Sequence, residues 1–146
     1  MRFMFLSMLA LASSQPVAAQ SVAEGVHSDA HGPSTMCGLT GKDAQDLMKQ
    51  VRVSRTVSNQ ALNSDRFELY ASSDSLIQWV FTKPNEPAYP AVTCRHVYQE
   101  KDGSWYQTRN MRCDSVREAC DRLFTEFQAL DERARQELAR KASPSR

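Results

Sequence analysis

The sequence predicts an α+β domain with a short N-terminal helix, an antiparallel sheet of about four strands, and a long C-terminal amphipathic helix packed on one face of the sheet. Three observations predict it. Apolar residues recur at helical spacing after residue 43 and again after residue 115. Strand-like runs separated by turn residues lie between these two segments.

The first helix is predicted over about residues 41–52. Asp43 places a negative charge in its first turn, where the helix N-terminus favours one. The β-branched residues that follow residue 50 make its end uncertain in position. Its apolar face consists of Ala44, Leu47, Met48 and Val51.

Two strands are predicted before a proline-rich loop. Residues 67–71 alternate between apolar and polar side chains, while residues 76–81 are almost continuously apolar, which is typical of a central strand covered on both faces. Residues 83–90 contain three prolines and are predicted to form a loop, because proline lacks the amide that a sheet ladder uses. The Tyr89–Pro90 bond is a candidate for a cis peptide.

A hairpin is predicted around Asp102-Gly103, with strands over residues 91–99 and 105–113. Two registers remain open. A Gly103-Ser104 loop places Cys94 opposite Cys113, whereas an Asp102-Gly103 loop places Cys94 opposite Met111 with Cys113 on the diagonal. On either register one face of the hairpin carries Val92, Cys94, His96, Tyr98, Trp105, Met111 and Cys113.

The last helix has the clearest pattern, and Asp114 or Ser115 is placed to cap it. We expect it to continue to about residue 140, beyond the body of the domain. Its predicted buried stripe consists of Val116, Cys120, Leu123, Phe127 and Leu130. Its predicted solvent face consists of Arg117, Asp121, Arg122, Glu126, Asp131 and Glu132.

Residues 1–19 are interpreted as a cleavable signal peptide. Arg2 precedes an apolar run of about ten residues, which is too short to span a ~30 Å hydrocarbon core as a helix. Small side chains at Val17 and Ala19 fit the −3 and −1 positions of a peptidase site, so we place the cut after Ala19, with Gln20 as the alternative. Export to the periplasm or the extracellular space is therefore expected.

Three further segments follow the predicted signal peptide. Residues 20–36 are predicted to be a flexible leader, residues 37–141 a single disulfide-bonded α+β domain, and residues 142–146 a disordered tail. Loss of Arg2 leaves 17 basic and 17 acidic residues, a balance that argues against a nucleic-acid partner. No later apolar stretch is long enough to predict a membrane span.

Four cysteines in an exported chain predict two disulfides, and three pairings are possible. The first hairpin register would pair Cys94 with Cys113 and leave Cys37 for Cys120. A zinc site is disfavoured, because no Cys-x-x-Cys is present and the Cys113-x6-Cys120 spacing fits no common zinc knuckle. No metal and no cofactor is expected.

The sequence shows no glycine-rich phosphate loop, nucleophile elbow or metalloprotease motif, so catalysis is not favoured. We expect a small exported, non-catalytic binding protein, such as an inhibitor, an immunity-type factor or an accessory subunit, with a protein partner in the envelope. Tyr89, Trp105 and Tyr106 are the candidate contacts.

The alternative is a small secreted enzyme or small-ligand carrier with a pocket near the 91–113 hairpin. Such a pocket needs a few converging polar groups. His96, Arg95 and Arg109 are its candidate residues, since all three lie on the hairpin strands.

Overall fold

The computed structural model describes residues 21–26, 32–62, 64–103 and 105–142 of the chain. Two helices and eight strands occur in this part of the chain. In order they are β1 (Ser21–Val26), β2 (Ser34–Met36), β3 (Leu39–Gly41), α1 (Ala44–Val53), β4 (Val57–Gln60), β5 (Phe67–Ser72), β6 (Ile77–Thr82), β7 (Ala91–Gln99), β8 (Trp105–Cys113) and α2 (Arg117–Ala142).

The main sheet has the strand order β1-β8-β7-β6-β5-β4. Neighbours from β4 to β8 pair antiparallel, and β1 pairs parallel to β8. Strands β2 and β3 form a separate two-stranded sheet. The predicted α+β class is therefore confirmed, with five antiparallel strands where about four were predicted.

Strands β1 and β2 lie within residues 20–36, which the composition predicts to be a flexible leader. The composition of a segment does not reveal whether its backbone finds hydrogen-bond partners elsewhere in the chain. Here β1 finds them by pairing with β8. The predicted signal peptide, residues 1–19, and most of the predicted tail lie outside the described residues. The segment boundaries stay predictions.

The two helices pack on opposite faces of the main sheet, because successive side chains of a strand point to opposite faces. Trp79 and Phe81 of β6 pack in one core with α1, whereas Val80 between them packs with α2. This explains why residues 76–81 are almost continuously apolar, and it confirms that β6 is covered on both sides. The long helix α2 lies on one face, as predicted, and α1 covers part of the other.

The β7–β8 hairpin has a different register from both predicted ones. Gln99 pairs with Trp105 across a five-residue loop, so Cys94 lies opposite Asn110. Gly103 has φ +86° and donates its N–H to the carbonyl of Glu100, which places the glycine at the end of a longer turn rather than in a two-residue loop. As a result Met111 and Cys113 face α2, while Cys94 faces α1.

The disulfides follow from this register. Cys37 bonds to Cys94 on the α1 side, and Cys113 bonds to Cys120 on the α2 side. The pairing of Cys94 with Cys113 is wrong, because the two side chains project from opposite faces of the sheet. Two disulfides are typical of proteins that fold in an oxidising, exported environment. Neither α1 nor α2 is long and apolar enough to cross a membrane.

Asp114 ties α1 to the end of β8. Its carboxylate accepts the N–H of Ala44 at 2.5 Å and the guanidinium of Arg112 at 2.5 Å. Asp43 caps the same helix by accepting the N–H of Asp46 at 2.7 Å. Asp114, a predicted cap of the last helix, therefore serves the first one. The Tyr89–Pro90 bond is cis, which confirms that prediction.

Replacing both cysteines of a disulfide by alanine should lower the free energy of unfolding more for Cys37–Cys94 than for Cys113–Cys120. The sequence separations are 57 for Cys37–Cys94 and 7 for Cys113–Cys120, so loop entropy predicts losses of about 4 and about 2.5 kcal/mol in the free energy of unfolding. Urea denaturation of the two double variants without reductant measures both losses. A larger loss for the short-range bond would contradict the expectation, and a Cys94–Cys113 cross-linked peptide from the unreduced wild type would contradict the pairing itself.

Candidate functional site

The β7–β8 hairpin extends past its neighbour β6. Strand β6 begins at Ile77, which pairs with His96, and the N–H of Val97 donates to the carbonyl of Leu76. Beyond that point β7 has no partner on the β6 side among the described residues. We call residues 97–103 and 105–107 the hairpin tip, and five of the six predicted contact and pocket residues lie on it or within two residues of it.

Aromatic rings form a row on the α1 face of this hairpin. Tyr98 lies directly opposite Tyr106, with ring centroids 5.9 Å apart and ring planes at 21°. The His96 ring lies 5.3 Å from that of Tyr98. All three side chains are half-buried. The row gives the hairpin an aromatic surface, and tyrosine is enriched at protein interfaces.

The two other predicted contact residues lie elsewhere. Trp105 projects from the opposite face of the hairpin tip and is 49% exposed. Tyr89 is half-buried and packs against the α1-side core, away from the tip. The tip therefore presents Tyr106 on one face and Trp105 on the other.

The α2 face of the hairpin contains a buried ion pair. Arg109 donates from Nε and Nη2 to the two carboxylate oxygens of Asp131, at 2.6 and 2.7 Å. Its Nη1 donates to the Thr93 hydroxyl at 2.7 Å, and its guanidinium carbon lies 4.8 Å from the centre of the Phe127 ring. With Arg109 only 7% exposed and Asp131 only 8% exposed, this is a desolvated, two-pronged pair.

Asp131 was predicted on the solvent face of the last helix, and that prediction is wrong. The predicted stripe residues Val116 and Leu130 are 69% and 44% exposed, whereas Asp131 faces the sheet. Asp131, and not the adjacent Leu130, lies on the buried face of α2, because the Asp131 carboxylate pairs with the Arg109 guanidinium. Periodicity of apolar residues cannot reveal a buried charge.

Arg95 is the second arginine of this face and pairs directly across the strands with Arg109. Among the described residues its one hydrogen bond is a long one of 3.4 Å, donated by Nη1 to Oε1 of Gln78. Its Nε is shielded from solvent and has no acceptor in the part of the chain that the structure describes. Burial lowers the pKa of Arg95, and the neighbouring Arg109 lowers it further, while Asp131 acts in the opposite direction.

The three predicted pocket residues do not converge. Arg95 and Arg109 share the α2 face, but His96 projects to the α1 face because it is the next residue along β7. A groove of about 510 Å³ lies instead at the hairpin turn. It is lined by Tyr98, Gln99, Glu100, Lys101 and Asp102.

A cleft of about 310 Å³ lies at the other end of α2, around Arg66. Arg66 donates to both oxygens of Glu126 at 2.9 and 2.8 Å and to Glu86 at 2.5 Å. Its guanidinium also lies 4.7 Å from the centre of the Phe67 ring. Both carboxylates are paired with Arg66. These contacts therefore join α2 to the sheet, and neither carboxylate stands unpaired in the cleft. The three charged residues are distant in sequence, and no local pattern marks them.

Neither a candidate metal site in the described residues nor a similar protein indicates a function. Within the described ranges no three His, Cys, Asp or Glu side chains cluster in a way that could hold a metal ion. No protein-family model, curated protein or solved structure matches the chain. The function is therefore argued from the hairpin itself.

Asp131→Ala should lower the free energy of unfolding by about 3 kcal/mol or more, because it leaves Arg109 buried without a counter-charge. Guanidinium chloride denaturation at neutral pH measures the loss. Glu118→Ala is the matched control, since its i,i+4 pair with Arg122 is exposed and removal should cost much less. Similar losses for the two variants would show that the buried pair contributes no special stability.

The Arg66 contact should make stability depend on pH in acid. Hydrogen bonds from Arg66 lower the pKa of Glu126 from its usual 4.5. Its stabilising effect is therefore complete above about pH 4.5 and is lost as the pH falls through the lowered value. Glu126→Gln should be less stable than wild type at pH 7, by less than about 1 kcal/mol because the pair is partly exposed.

The difference between wild type and Glu126→Gln should shrink when denaturation is repeated at successively lower pH. Glu137→Gln is the control, because it makes the same charge change at an exposed site on the same helix. A difference that stays constant down to acid pH would show that the Arg66–Glu126 pair does not act through ionisation.

Proposed function

We propose that this chain is a small exported, non-catalytic binding protein of the cell envelope or the extracellular space, and that it binds a partner protein through the hairpin tip. The observation that carries the proposal is the set of aromatic side chains on the tip. Tyr98 and Tyr106 lie on one face and the half-exposed Trp105 on the other. Tyrosine and tryptophan are enriched among the residues that contribute most to protein interfaces.

The position of the tip supports this proposal. It extends beyond β6, so its aromatic groups are reachable from more than one side. The strands behind it are fixed by ladder pairing to β6 and by the Cys37–Cys94 disulfide, which anchors β7. A contact surface on a rigid scaffold loses little conformational entropy on binding.

Export is supported by two independent features. The N-terminal residues have the pattern of a signal peptide. All four cysteines are bonded in pairs, as is usual in oxidising compartments. The polar turn residues Glu100 to Gly103 beside the aromatic groups would form the hydrated rim that surrounds an interface core.

A small-ligand carrier is the second candidate, and one observation favours it. Within the described ranges, the half-buried Arg95 has no carboxylate bonded to it, and its Nε lacks an acceptor. Such a group suits a bound anion better than a hydrophobic protein contact. An enzyme is less supported, since the predicted pocket would need His96 on the same face as Arg95 and Arg109.

Alanine substitution of Trp105 and Tyr106 together should weaken partner binding at least tenfold, because truncating aromatic interface anchors typically costs more than 1 kcal/mol each. Chemical cross-linking followed by affinity purification from the native envelope fraction identifies the partner, and titration with the purified partner gives the affinity. Val53→Ala is the control, since Val53 is 81% exposed and is the last residue of α1 rather than a residue of the hairpin.

Circular dichroism and melting temperature must match wild type for the comparison to hold. Recovery of the wild-type chain alone and monomeric after gentle cross-linking would overturn the proposal. An unchanged affinity in the double variant would overturn the assignment of the hairpin tip.

A further inference from the structure

Strand β1 joins the main sheet through one neighbour. Its residues 21–26 pair in order with residues 107–112 of β8, and this is the one parallel pairing in the described part of the sheet. Parallel ladders are slightly less stable per residue than antiparallel ones. Three of the six residues, Ala23, Glu24 and Gly25, belong to types that are depleted in strands. The ladder that holds β1 is therefore weaker than the antiparallel ladders of the same sheet.

The chain that follows β1 is fixed to the body of the domain at a separate point. The buried Arg112 donates from Nη1 to the carbonyl of Gly32 at 2.9 Å and from Nε to Asp114 at 2.5 Å. Asp114 in turn accepts the N–H of Ala44 at the start of α1. These hydrogen bonds do not involve β1, so they remain in place when the β1–β8 ladder opens.

Without β1, strand β8 is an edge strand of the main sheet. Its backbone along residues 107–112 then lacks the ladder partners that β1 supplies, and an unpaired edge is a template for a strand of another chain. A second copy of this chain carries the strand whose register with β8 is already defined. All six residue pairs can therefore form again between two copies.

We propose that β1 is an exchangeable strand, and that two copies of this chain form a reciprocal dimer in which the β1 of each copy pairs with the β8 of the other. Exchange of an identical element is a low-cost route to a dimer, because the dimer keeps the contacts of the monomer. The two β1–β8 ladders are then related by a twofold axis. The interaction surface is the edge of β8, and its partner is a second copy.

The length of chain between β1 and Gly32 limits the geometry of this dimer. Five residues separate Val26 from Gly32, so the Cα atoms of these two residues lie at most about 22 Å apart. Val26 pairs with Arg112, and Arg112 also holds Gly32. The C-terminal ends of the two β8 strands must therefore lie close to the twofold axis.

Exchange competes with pairing inside one copy. A short connection holds β1 near its own β8 at an effective concentration on the order of millimolar. We therefore expect the dimer in concentrated protein and the monomer in dilute solution. This inference does not rest on the proposed function, because exchange leaves Trp105 and Tyr106 in place on the hairpin.

Two single-cysteine variants of the full-length mature protein test the exchange. They are Val22→Cys and Thr108→Cys, because residues 22 and 108 are directly opposed in the ladder. The variants carry tags of different size, are mixed at high concentration, and are oxidised gently without reductant. A heterodimer that reductant can cleave should form, since neither chain alone holds both new cysteines.

A mixture of Val22→Cys with Ser58→Cys is the matched control. Ser58 is an exposed residue of β4, at the opposite edge of the main sheet from β1. Cross-links in this mixture arise by random collision, so its heterodimer yield should be roughly tenfold lower. Circular dichroism of each variant must match wild type for the yields to be compared.

A chain with both Val22→Cys and Thr108→Cys, cross-linked in dilute solution, locks β1 onto its own β8. Light scattering should show a dimer fraction that rises with concentration for wild type, while the locked chain stays monomeric. A heterodimer yield equal to that of the control, or a wild type that stays monomeric when concentrated, would overturn the exchange. A locked chain that dimerises as wild type does would also overturn it, because the dimer would then use another surface. The partner experiment on Trp105 and Tyr106 is unaffected by any of these failures.

Discussion

The register between β7 and β8 is the constraint on which the rest of this structure depends. Side chains alternate between the two faces of a sheet, so a shift of one residue would exchange the faces of one whole strand. The observed pairing sends Cys94 towards α1 and Cys113 towards α2. It also stacks Tyr98 on Tyr106 and sets Arg95 against Arg109. Disulfide pairing, the aromatic row and the arginine pair all follow from one alignment.

The coarse fold could be read from the sequence because it rests on local patterns. The apolar spacing of residues 44–51 and the continuous apolar run of β6 each record the surroundings of one element. The helical stripe was harder to read at its C-terminal end. There Asp131 takes the place of an apolar residue on the buried face. It is buried because it pairs with Arg109, a residue of β8 that lies 22 positions earlier in the chain.

The candidate site was only partly predictable. Arg95, Arg109, His96, Trp105 and Tyr106 were correctly assigned to the hairpin, but their distribution over its faces depends on the loop length. The Asp-Gly sequence favours a two-residue loop. The observed loop has five residues, so the residues of β8 project to the opposite face from the one that a two-residue loop predicts. The Arg66 cluster was missed altogether, because it joins the residue just before β5 to the proline loop and to α2.

The parallel strand β1 has a consequence for the order of assembly. It starts two residues after the predicted cleavage site, and its partner is the last strand of the sheet: Ser21 pairs with Gln107, 86 positions away. Strand β1 is the first strand along the described chain, yet its partner β8 is the last, so nearly all of the domain lies between the two. Because contacts that close long loops form late, we expect the β8 edge to stay uncovered while the rest of the sheet assembles. We therefore expect the strand that comes first in the main sheet along the chain to be the last to join that sheet.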